Sequence, residues 1–152
     1  MKILDVLDKE AILVDLKSRD KIGIINELVA PAARITGIEP SNIVRVLMER
    51  ERLGSTGIGG GIGIPHGKLK DLERLILGFG LSHKGVNFES MDGRPTHLFF
   101  LLITPERSTD LHLKLLARVS RLLKKESLKE MMMKSTSADE IVAIIAEDDE
   151  EF

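Results

Sequence analysis

The chain has 152 residues, 43% apolar and 30% charged, which is ordinary for a globular protein and enough to build one domain with a proper core. A net charge of -2, from 22 basic and 24 acidic side chains, offers no broad basic field to nucleic acid. Five Phe with no Trp or Tyr exclude stacking platforms and an aromatic sugar cleft, and the absence of Cys excludes disulfides, thiol catalysis and thiolate metal sites.

Strictly apolar runs such as Leu98 to Ile103 stay far short of the roughly 20 residues a membrane-spanning helix needs, so no membrane insertion is expected. Asp5 and Asp8 interrupt Met1-Lys2-Ile3-Leu4, which does not look like a signal peptide, and a cytoplasmic location is expected.

In chain order, Ile3 to Leu7 is expected as one helical turn and Ala11 to Leu16 as a short strand. Ser18 is the candidate cap of an amphipathic helix carrying Ile22, Ile25, Leu28 and Val29, and Pro31 predicts a kink or break near Glu27 to Ala30. Gly37 ends that element, and Pro40-Ser41 starts a second helix closing at Glu49-Arg50-Glu51-Arg52. Leu75 to Leu81 is a strand with Gly78 and Gly80 on one face, open to close approach by a backbone or ligand, and Asp92-Gly93 marks a turn.

Leu98 to Ile103 is apolar on both faces and predicts a central strand covered by helices on each side, stopped by Pro105. Thr109-Asp110 is a candidate cap pair for a long helix with Leu115, Leu116, Val119, Leu122 and Leu123. A short helix around Ser127 to Met133 and a last one from Ala138 to Ala146 follow. Met131-Met132-Met133 is expected to fill core, and residues 147-152 to form a frayed acidic tail on a single domain, 1-152.

The stretch Gly54 to Lys68 holds six of the chain's thirteen glycines before it reaches His66. Glycines at this density let peptide N–H groups approach an anion, and Pro65 delivers the imidazole at the end of an extended segment. Neither the Gly-x-Gly-x-x-Gly nor the Gly-x-x-x-x-Gly-Lys-Ser/Thr spacing is met, so NAD and ATP loops are not indicated.

No pair of His66, His83, His97 and His112 has the i, i+4 spacing of a helical zinc site, so no metal is expected, and no cofactor. His83 is expected in a turn and His97 at a strand end. His112 falls in the first turn of its helix, where the positive dipole end keeps an imidazole neutral until an anion arrives. Arg50 and Arg52 end the helix before the glycines, where they complement the dipole or let one guanidinium grip phosphoryl oxygens. A nucleophilic His66, an arginine, a second imidazole and a bed of amides make an inventory for phosphoryl transfer.

The residues Glu49 to Gly59 and Ile64-Pro65-His66-Gly67-Lys68, with Ile12 to Leu16, Asp92-Gly93-Arg94-Pro95 and Leu111 to Ala117, resemble IIA components of the fructose/mannitol class of the bacterial phosphoenolpyruvate phosphotransferase system. The likeness is strongest to the nitrogen-type regulatory IIA proteins. That resemblance implies a three-layer α/β/α sandwich with a mixed sheet of four to five strands, and a phosphoryl group received on Nε2 of His66 from phosphohistidine on the carrier HPr or its nitrogen-branch counterpart NPr.

It further implies Arg50 and His112 in the same pocket, Glu51 orienting Arg50, and Ser55 and Thr56 as weaker phosphate contacts. The carrier is expected to dock on an apolar rim for which Ile58, Ile62 and Ile64 are candidates. Downstream, the resemblance implies regulatory protein targets or, alternatively, the IIB domain of a separate sugar permease. A non-catalytic anion-sensing module is the competing reading. Two positions depart from the family pattern: Gly60, where relatives carry Asn or Glu, and Pro31.

Overall fold

A computed structural model describes all 152 residues, Met1–Phe152. Six strands and six helices follow in the order α1 (Ile3–Val6), β1 (Leu7–Leu13), α2 (Lys21–Thr36), α3 (Pro40–Arg52), β2 (Gly57–Gly59), β3 (Ile62–Gly63), β4 (His66–Leu69), β5 (Ile76–Val86), β6 (Thr96–Pro105), α4 (Thr109–Leu123), α5 (Glu126–Met133) and α6 (Ala138–Ala146). They form one mixed sheet, ordered β1-β5-β6-β3-β2, with β4 also paired to β6.

The doubly apolar strand sits where its composition demands. Alternation along β6 sends Leu98, Phe100 and Leu102 into a cluster of 21 buried residues shared with α4, α5 and α6. The intervening Phe99, Leu101 and Ile103 enter a second cluster of 17, shared with α2 and α3. Antiparallel pairing with β5 sets Phe79 opposite Phe100, and their rings meet edge to face with centroids 5.2 Å apart. The result is the expected three-layer sandwich, with six strands rather than four to five because the glycine stretch adds the short β2 and β3.

β3 and β4 lie in succession along the same side of β6. Ile62 and Gly63 pair with Leu98 and Phe99, and His66 to Leu69 pair with Leu102 to Pro105. Pro65 occupies the step between them and accepts a hydrogen bond from the Leu102 amide at 3.0 Å. A residue without an N–H fits a point where the ladder passes from one segment to the next.

Several expectations are corrected. Pro31 does not break its helix: α2 runs from Lys21 to Thr36, and burial of Val29, Pro31, Ala32 and Ala33 offsets the missing backbone hydrogen bond. Its cap is Asp20, whose carboxylate accepts from the Gly23 amide, rather than Ser18. β1 starts at Leu7 rather than Ala11, and Ser108 takes the N-cap position of α4 without a side-chain hydrogen bond, leaving Thr109 and Asp110 inside the first turn. β5 extends to Val86, so His83 lies in a strand and not a turn. Gly78 and Gly80 admit the chain's own core, since a Cβ at Gly80 would meet Leu28 at 2.6 Å.

The acidic end is docked, not frayed. Asp149 accepts from the amides of Ile3 and Leu4 at 2.8 and 2.9 Å, capping α1, while the Phe152 amide bonds the Met1 carbonyl at 2.8 Å and its side chain packs on the core. Arg118 reaches the Asp148 carbonyl, and Lys125 pairs with its carboxylate.

Candidate functional site

His66 opens β4 opposite Leu102, and parallel partners in a sheet share a face. Leu102 faces α4, so His66 and, two residues on, Lys68 face it as well, together with Thr104 beside Lys68. Gly67 turns to the opposite layer, where a Cβ would strike Val46 of α3 at 2.8 Å. Only glycine lets α3 come this close, which brings Arg50 in its last turn to the same place.

β4 pairs on one side only, so helices of both layers meet across the sheet edge. Between them lies a cavity of about 480 Å³ floored by His66, Gly67 and Lys68, walled by Arg50 and Leu53 on one side and by His112 and Leu113 on the other. Three residues separated by up to 62 positions, Arg50, His66 and His112, thus share one cavity.

The imidazoles of His66 and His112 meet edge to face, centroids 5.4 Å apart. Nδ1 of His66 lies 2.8 Å from the Ile64 carbonyl, so it carries the proton and donates, and Nε2 is the lone-pair nitrogen. Burial lowers the pKa of His66, the Arg50 charge adds to this, and the Ile64 carbonyl and Glu51 oppose it. His112 is pushed down to about 4, mainly by burial and then by His66 and Lys68. Both rings are therefore neutral at pH 7, His112 through burial and its charged neighbours.

Arg50 donates to the Gly54 carbonyl at 2.9 Å, curling back over the end of its own helix. Glu51 does not orient it. The Glu51 carboxylate is buried on the far side, paired with Lys21 at 2.9 Å and accepting from the amide and hydroxyl of Thr56. Ser55 donates to the Phe88 carbonyl at 2.8 Å, and neither Ser55 nor Thr56 lines the cavity.

The bed of amides is also absent from the cavity. Gly57 to Gly63 form a hairpin at the sheet edge, where Gly59, Gly60 and Gly61 have positive φ and the Gly60 amide donates to Asp92 at 3.0 Å. Ile62 and Ile64 are core residues, leaving Ile58 exposed but outside the cavity. The exposed apolar side chains at its mouth are Leu53 and Leu113.

Sequence reasoning missed Thr104 and Lys68. Thr104 is fully buried with its hydroxyl oxygen 2.6 Å from Nδ1 of His112, and Lys68 donates to the Thr109 hydroxyl at 2.9 Å. Only the β4–β6 register, which sets them side by side, could have exposed either. His97 is a strand-end residue bonded to the Ser82 carbonyl at 2.9 Å, away from the site.

The profile of the phosphoenolpyruvate-dependent sugar phosphotransferase system, EIIA 2, matches residues 5–148. The chain belongs to that family. This EIIA 2 protein is 42% identical to a nitrogen regulatory protein of Bradyrhizobium diazoefficiens over 146 residues, 96% of this chain and 95% of the relative. It is 35% identical over 150 residues to the fructose-specific EIIABC component of Bacillus subtilis, covering 98% of this chain and 24% of that larger one.

Among solved structures, the nitrogen regulatory protein IIA-Ntr of Neisseria meningitidis superposes with a TM-score of 0.88 at 30% identity, over 93% of this chain and 97% of the other. Escherichia coli enzyme IIAMTL, solved in complex with phosphorylated enzyme IIBMTL, shares the fold with a TM-score of 0.79 at 22% identity, over 93% and 99% of the two chains. EIIA proteins are phosphotransfer components that work with phosphocarriers and IIB domains. No helix of this one is long and apolar enough to cross a membrane.

Proposed function

We propose that this EIIA 2 protein accepts a phosphoryl group on Nε2 of His66 from a phosphohistidine of a carrier of the HPr or NPr kind, and that the charge it gains governs its choice of protein partner. The observation that carries this reading is the hydrogen bond from Nδ1 of His66 to the Ile64 carbonyl, because it holds the ring as the tautomer whose free lone pair belongs to a side chain lining the cavity.

The step balances without water or redox. The Nε2 lone pair forms a bond to phosphorus as the P–N bond to the carrier's imidazole breaks, and that nitrogen keeps the electron pair. Nδ1 keeps its proton, and the positive charge arising on the doubly substituted ring is stabilised by the Ile64 carbonyl. Arg50 neutralises phosphoryl oxygens with its planar fork, and neutral His112 donates a hydrogen bond.

Phosphorylation adds roughly -1.5 to -2 charges at a mouth flanked by exposed Leu53 and Leu113, enough to change which surfaces dock there. Identity of 42% with a nitrogen regulatory protein, against 35% with a fructose-specific EIIABC component, supports the regulatory role over that of a IIA feeding a sugar permease.

The test is incubation with phosphoenolpyruvate, the first enzyme of the system and either carrier. Acid-labile, base-stable phosphate on the wild type and none on His66→Ala is the expected result. Phosphate persisting on His66→Ala would overturn the assignment, and no labelling at all would favour an anion-sensing module. Onward transfer to a permease IIB domain would count against the regulatory role.

A further inference from the structure

We infer that Thr104 is a positioning residue that fixes the tautomer of His112, so that the imidazole presents an Nε2–H donor to the cavity. Resting on the phosphoryl-transfer reading of that cavity, the inference adds the group that decides how His112 takes part.

Thr104 lies on β6 with no exposed surface, and its hydroxyl oxygen is 2.6 Å from Nδ1 of His112. No other hydrogen bond is made by that hydroxyl, which stands in a strand whose backbone is already paired to β4 and β5. Two proton arrangements are compatible with the distance. If Nδ1–H donated to the hydroxyl oxygen, the hydroxyl's own proton would be buried without an acceptor, which folded proteins avoid. If the hydroxyl donates to Nδ1, its proton and the ring lone pair are satisfied together. The second arrangement leaves the ring proton on Nε2.

The consequence is chemical. His112 is neutral around pH 7 because its pKa is depressed to about 4. A neutral imidazole has one N–H and one lone pair, so its tautomer decides whether it attracts or repels an anion. With Nε2–H directed to the cavity, it donates to a phosphoryl oxygen without bringing a second full charge beside Arg50. With the tautomer reversed, a lone pair would face the anion. A neutral histidine serving as an electrophilic donor is a known device in enzyme sites.

The arrangement also pairs the two rings with opposite assignments: His66 offers a lone pair at Nε2 and His112 offers a proton. Each choice is made by the group bonded to Nδ1, a backbone carbonyl in one case and a hydroxyl in the other.

The experiment records long-range ¹H–¹⁵N spectra of the resting, histidine-labelled protein at pH 7 for wild type, Thr104→Val and Thr104→Ser, alongside the rate of phosphoryl transfer from the carrier. Wild type and Thr104→Ser are expected to hold His112 as Nε2–H. Thr104→Val, of nearly equal volume, is expected to show a tautomer mixture and transfer slowed roughly tenfold, with the signals of the distant His83 and His97 unchanged. A wild-type spectrum showing Nδ1–H, a Thr104→Val protein that keeps Nε2–H, or a Thr104→Val rate equal to wild type would each overturn the inference. The spectra need no phosphoryl donor, so they decide the tautomer even where His66 proves not to be the acceptor.

Discussion

His66 on the sheet edge and His112 on the first turn of α4 lie with ring centroids 5.4 Å apart and planes inclined by 61°. At that separation two imidazolium charges would repel in a partly dry cavity; burial first and then the charge of His66 depress the pKa of His112, while burial and the Arg50 charge lower that of His66. Protonation of this pair is linked to stability.

For His112, with a folded pKa of about 4 against an ordinary value of 6.5, the unfolded chain binds more protons between those values. Stability therefore rises with pH across that window and is lost as pH falls below 6.5. Because the ring edge meets the cavity solvent, the contribution is put at about 2 kcal/mol, below the full linkage value. Urea unfolding of His112→Gln at pH 4.5 and pH 7 should show a flatter pH dependence than wild type. An equally steep dependence would mean that other groups carry it.

Arg50 is half-exposed and held by the Gly54 carbonyl, so its replacement should harm transfer more than folding. Arg50→Lys keeps the charge and loses the fork, and transfer from the carrier should fall about 10- to 100-fold. A stopped assay of labelled protein measures this. A rate equal to wild type would take the guanidinium out of the chemistry.

Glu51 and Lys21 form a buried pair at 2.9 Å, with Thr56 supplying two further hydrogen bonds. Lys21 also reaches the exposed Glu89 carboxylate at 3.3 Å, so Glu51→Ala leaves it one weaker partner and should lose about 3 kcal/mol in denaturant unfolding. The double variant Lys21→Met with Glu51→Leu should recover most of that loss. Glu51→Gln should also lower the His66 pKa further, since the carboxylate raises it at present.

Asp149 caps α1 through two amides at 2.8 and 2.9 Å. Asp149→Ala should cost about 1 kcal/mol, and deletion of residues 147-152 more, because Phe152 and the Arg118 contact go with them. Thermal unfolding of the two variants checks this, and unchanged midpoints would restore the picture of a loose tail.

Leu98 to Ile103 was legible as a two-faced buried strand because its own six residues announce it, and the observed split into two clusters follows. Gly37 as the end of α2 was equally local, and the structure puts it in the left-handed region. Glu51 was not legible. The family resemblance implied that it orients Arg50, whereas its partner Lys21 is brought to it from α2.

The glycines taught a similar lesson. Their number signalled unusual backbone, which the positive φ values at Gly59, Gly60 and Gly61 bear out. Whether that backbone cradled an anion or turned a hairpin depended on where β3 paired, and it turned a hairpin.

By itself the chain's order of residues determined the six helices and the approximate places of β1, β5 and β6, where several of them stop, and that His66 follows a rigid approach set by Pro65. These follow from side-chain periodicity and backbone restriction, which act over a few neighbouring positions. Tertiary structure alone decided that Thr104 meets His112, that Lys21 meets Glu51, and that the acidic end is bound. Such partners are distant in the chain, and the packing of two helical layers on one sheet selects them.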